Sequence, residues 1–120
     1  MNAATYDHLR LFANAARVLR HLVPELPPVP TIEHDAGPWQ EIDAAARWMD
    51  GPGVTAGRYE PGPDAPPAWC HWHRIAWRSI VLAAAEAAGQ GLAADERSHL
   101  DRMTTPELAD QLTYLSDYQG

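Results

Sequence analysis

The segment from Asp64 to Gly89, DAPPAWCHWHRIAWRSIVLAAAEAAG, constrains the fold more than any other stretch of the chain. It holds Trp69, Trp72 and Trp77, three of the five Trp, together with the single Cys and two of the six His. At ~100° per residue, Trp69, Trp72, His73, Ala76, Trp77, Ile80, Ala83, Ala84 and Ala87 share one arc, apolar except for His73. Asp64 is placed to cap the helix, Pro66 and Pro67 suit a first turn that lacks hydrogen-bond acceptors, and Gly89 suits the left-handed closing residue. His71, Arg74 and Arg78 run down the far side, flanked by Ile75, Val81 and Leu82. The apolar surface is therefore wider than one partner helix needs, and the segment predicts a central helix over about 66–88.

Four further helices follow from the same signals. Residues 4–22 place Tyr6, Leu9, Phe12, Ala13, Ala16 and Leu19 on one face, with a second apolar strip of Leu11, Ala15, Val18 and Leu22. Pro38 opens a helix over 38–50 with Trp39, Ile42, Ala46 and Met49 inward and Glu41, Asp43, Arg47 and Asp50 toward water; Trp48 falls off that stripe, so it either widens the buried face or marks contact with a partner. A short polar helix is predicted over 92–103, and a last one over 105–117, capped by Thr105. Between them lie two connectors. Residues 23–37 carry Pro24, Pro27, Pro28 and Pro30, which favour an extended strap over the surface. Residues 51–67 are rich in Gly and Pro, with Val54–Tyr59 as a candidate lone strand. The GPGVTAG run there is no phosphate loop, because that motif needs a strand before it and a helix directly after. The expected architecture is a single all-α domain over 1–120, a bundle of four to five helices.

Composition excludes several classes of function. One Cys rules out an internal disulfide framework, and no stretch approaches the ~18 apolar residues of a membrane span. No signal-peptide pattern is read, so a cytoplasmic location is the default expectation. All nine basic residues are Arg, the bias of a GC-rich genome such as an actinobacterium or one of its phages. The net charge of −7 argues against a general nucleic-acid binder, whose affinity comes from neutralising phosphates. The charge is uneven: residues 1–22 sum to +2 and 66–90 to +1, against −6 for 23–65 and −4 for 91–120. Basic helices and acidic regions of this kind are expected to satisfy each other within one fold.

Three sets of residues carry candidate chemistry. Cys70 and His73, three apart on a helix, are half of a metal site that His8, His34, Asp35 or His99 would have to complete; no second ligand pair is visible. A first-turn cysteine such as Cys70 is also a candidate nucleophile, but no acid–base partner stands at a diagnostic spacing. His71, Arg74 and Arg78, joined by Arg10 and Arg17, are candidates for gripping phosphates, provided the two stripes lie side by side. Trp48, Trp69, Trp72 and Trp77 with Leu11 and Val18 form an apolar surplus of the kind that completes its core against another chain. No catalytic set and no cofactor is assigned. The leading expectation is a non-enzymatic adaptor, regulator or assembly subunit that binds a protein partner or a second copy of itself. A nucleic-acid-associated regulator comes second, and a metal- or cysteine-dependent activity third.

Overall fold

The computed structural model of the chain describes residues 1–50, 66–89 and 94–116. These form an all-α bundle of five helices: α1 (Ala3–Leu22), α2 (Pro38–Met49), α3 (Pro67–Ala87), α4 (Ala94–Leu100) and α5 (Thr105–Ser116). No strand occurs among the described residues. Asp64, Val54–Tyr59, the GPGVTAG run and the tail from Asp117 lie outside them.

Local chemistry sets the helix ends. Asn2 caps α1, its side chain accepting the Thr5 N–H at 2.8 Å, and Arg20 and His21 in the last turn suit the negative end of the helix dipole. Pro38 and Pro67 open α2 and α3, where a missing N–H costs nothing. Beyond α3 the chain turns at Gly89 with φ +74°, a left-handed conformation that glycine adopts without steric cost. The short helix closes three residues earlier than its sequence pattern suggests. Arg102 and Met103 donate to the carbonyls of His99 and Leu100, which tightens the chain into a non-helical turn. The cap of α5 is Thr104 rather than Thr105. Thr104 N–H donates to Glu107 Oε1 at 3.1 Å and Glu107 N–H to Thr104 Oγ1 at 3.4 Å, the reciprocal pair of a capping box.

The helix α3 is central, touching α1 most extensively and also α5 and α2. His8 feels the charges of Glu86, Arg97 and Arg78, which places the start of α1 beside the second half of α3. Helices of 20 and 21 residues that meet in this way can pack along their length only if they run antiparallel. Fourteen residues on from His8 is Leu22, and fourteen back from Glu86 is Trp72, each about 21 Å along its helix. Leu22 and Trp72 therefore both lie toward the same end of the bundle.

One hydrophobic cluster fills the interior, drawing on all five helices and on Leu26 of the strap. Trp77, at 1% exposure, is the largest side chain buried this fully. Ile80 and the run from Val81 to Ala85 are buried around every side of α3, and these mostly small residues let neighbouring helices approach closely. Trp48 is buried too, contrary to its expected place in a partner surface. Its ring meets Phe12 edge-on with centroids 6.1 Å apart, and its Nε1–H donates to the Pro27 carbonyl at 3.1 Å. Glu41, expected to face water, is buried: its Oε2 accepts the Glu33 N–H at 3.2 Å. Both corrections have one cause. The proline-rich strap folds back over α2 and covers a second side of it.

Truncating Trp77 leaves a large hole in a packed interior, so Trp77→Ala should cost about 3–5 kcal/mol in denaturant unfolding. Leu11→Ser, at a side chain 51% exposed, should stay within about 0.5 kcal/mol of wild type.

Candidate interaction surface

The first turns of α3 sort their side chains by direction. Cys70 and His71 are exposed, Trp69 and Trp72 are half-buried, and His73 is fully buried. Trp69 stacks on His73 with ring centroids 6.0 Å apart and an interplanar angle of 28°, while His71 meets Trp72 edge-on at 5.3 Å. Each indole thus lays one part against the core and leaves the rest to solvent, a composition typical of contact anchors. Trp48 and Trp77 are out of reach of any partner in this conformation, which narrows the aromatic part of the surface to Trp69 and Trp72. On α1, Leu11 and Leu22 are exposed at 51% and 42%, and Val18 between them is half-buried.

Cys70 and His73 differ in setting, one exposed and one buried, and no group of three His, Cys, Asp or Glu able to hold a metal ion occurs among the described residues. Burial in an apolar site disfavours the imidazolium and lowers the His73 pKa to about 4, so the ring is neutral at pH 7. Its Nδ1 has no hydrogen-bond partner among the described residues. His8, whose Nδ1 is in the same position, is lowered by burial as well, with Glu86 opposing the shift.

The arginines of α3 are spent on architecture. Arg74 donates through one terminal nitrogen to the Leu100 carbonyl at 2.9 Å and through the other to the Met103 carbonyl. The first carbonyl closes α4 and also accepts the Met103 N–H, and the second belongs to the turn that follows. Arg78 pairs with Asp101 at 2.5 Å. Together they pin the α4–α5 connection onto α3; of these contacts only Arg78–Asp101 joins a basic helix to an acidic segment. On α1, Arg10 lies over the Tyr6 ring at 5.8 Å and Arg17 donates to Asn14 Oδ1 at 3.0 Å. His71 is left facing solvent beside Trp72.

Two features escape a reading of the chain in order. A shallow depression at the end of α1 is lined by Arg17, Arg20, His21 and Pro24. A groove of about 440 Å3 opens where α3, α4 and α5 meet, with Val81, Leu100 and Leu115 below and Asp95, Glu96 and Tyr114 among its walls. The signal for the second was present in Tyr114, an aromatic residue flanking the inner stripe of α5, but its neighbours come from three separate segments. No helix is long and apolar enough to cross a membrane among the described residues. No known protein family, curated protein or solved structure matches this chain.

The folded His73 pKa lies below the unfolded value of 6.5, so the unfolded chain binds the proton first and stability falls as pH drops from 6.5 to about 4. Between pH 7 and 5 this one residue should cost on the order of 2 kcal/mol. Urea unfolding at the two pH values should show a smaller acid loss in His73→Phe than in wild type. Arg74→Met should lose about 1–3 kcal/mol by removing the charged hydrogen bonds to the Leu100 and Met103 carbonyls, and hydrogen exchange should speed up first at residues 100–104.

Proposed function

We propose that this chain is a non-enzymatic interaction protein, a small adaptor, regulator or assembly subunit that acts through contact with another protein chain. One observation carries the reading. Trp69 and Trp72 stand half-open at the start of α3, toward the same end of the bundle as the exposed Leu22 and the half-buried Val18 of α1. Large aromatic residues anchored on a rigid core lose little freedom when a partner covers them, which makes them efficient contact residues. The internal engagement of Arg74 and Arg78 supports a protein contact over a phosphate contact. The acidic net charge of −7 works in the same direction.

A tagged chain recovered from source cells, with and without nuclease and read by mass spectrometry, tests this. The expected result is one or a few specific proteins that survive nuclease and are lost at least tenfold with Trp72→Ala or Leu22→Ser, neither variant shifting Tm by more than a few degrees. Recovery that collapses with nuclease and is weakened by Arg10→Ala or Arg17→Ala would overturn it in favour of a nucleic-acid-associated regulator.

A further inference from the structure

Three large apolar side chains stand exposed among the described residues, Leu11, Leu22 and Tyr114, and the last two have opposite electrostatic settings. Leu22 follows Arg17, Arg20 and His21 at the end of α1, beside the depression that these basic residues line with Pro24. Tyr114, 54% exposed, belongs to the groove between α3, α4 and α5. The groove has an apolar floor in Val81, Leu100 and Leu115, all at most 5% exposed, and carries the carboxylates of Asp95 and Glu96. Among the described residues its lining includes His99 but no arginine.

We propose that these two surfaces are each other's partner, the basic end of α1 in one copy docking into the acidic α4–α5 groove of a second copy. The inference rests on reading the outer stripe of α1 as a contact surface and supplies its counterpart. Leu22 offers the apolar tip, and Arg17, with His21 beside it on the same side of the helix, offers the charge that Asp95 and Glu96 complement. The helix cannot reach the groove of its own chain. His8 feels the charge of Arg97 on α4, whereas Leu22 lies fourteen residues, about 21 Å, further along a helix packed on α3. Every copy presents one basic end and one acidic groove, so the two surfaces are always present in equal number. Reciprocal docking closes a two-fold dimer, whereas one-way docking leads to a ring or an open chain.

Sedimentation velocity of the purified chain over a range of concentrations tests the proposal by charge exchange. Wild type should gain mass with concentration. Arg17→Glu with His21→Glu, and separately Asp95→Asn with Glu96→Arg, should each weaken association at least tenfold, and mixing the two variants should restore it, because each then offers what the other lacks. Leu22→Ser, which leaves the charges alone, should weaken it as well; circular dichroism identifies any variant that has lost its fold. A wild type that stays monomeric throughout, an association that ignores both charge reversals, or a mixture that fails to recover would each overturn the proposal. If wild type is monomeric yet a foreign protein is still recovered and lost with Trp72→Ala, this inference falls and the interaction reading stands.

Discussion

The antiparallel packing of α1 on α3 is the constraint on which the rest of the molecule depends. It is the most extensive helix contact among the described residues, and α3 contributes Trp77, the largest fully buried side chain. Because α3 is buried on nearly every side from Ser79 to Ala85, the other helices have to arrange themselves around it. Its first turns escape that enclosure, and there the residue types change from small and aliphatic to aromatic and polar. The same helix is thus the axis of the core at one end and an open surface at the other.

Polar chemistry in this chain serves mainly to hold segments in place. Arg74 and Arg78 fasten the α4–α5 connection, Glu41 fastens the strap at Glu33, and Arg20 donates to the Leu26 carbonyl at 3.1 Å. Even the start of the chain is tied, the Met1 amino group donating to the His34 carbonyl at 3.1 Å. Hydrogen bonds from charged donors to carbonyls are stronger than neutral ones, so a small helical fold gains from using arginine this way. The large apolar side chains left wholly or partly uncovered include Trp69, Trp72, Leu22, Leu11 and Tyr114.

The helices were legible in the sequence because their ends are marked by residues with strong backbone preferences. Pro38, Pro67 and Gly89 each act through their own φ, which needs no knowledge of the fold. The capping box of α5 was legible in principle as T-x-x-E from Thr104 to Glu107, but the neighbouring Thr105 offers an equally good hydroxyl and only hydrogen-bond geometry separates the two. Burial was harder to read. A helical stripe predicts one buried face, and α2 has a second because the strap crosses it; Trp48 and Glu41 go inside for that reason. The arginine stripe of α3 was visible, but its partners lie more than 20 residues away and are mostly main-chain carbonyls, which any sequence supplies. The groove between α3, α4 and α5 had no local signature, since its floor joins Val81, Leu100 and Leu115.

The central claim is a division among the tryptophans, with Trp48 and Trp77 belonging to the core and Trp69 and Trp72 to the surface. Fluorotryptophan labelling tests it directly: fluorine NMR, with each resonance assigned by a Trp→Phe variant, is recorded with and without a soluble paramagnetic agent. The account predicts strong broadening of the Trp69 and Trp72 resonances and little effect on those of Trp48 and Trp77. Broadening of Trp77 to the level of Trp72, or protection of Trp69 and Trp72 in a chain shown to be monomeric, would contradict it.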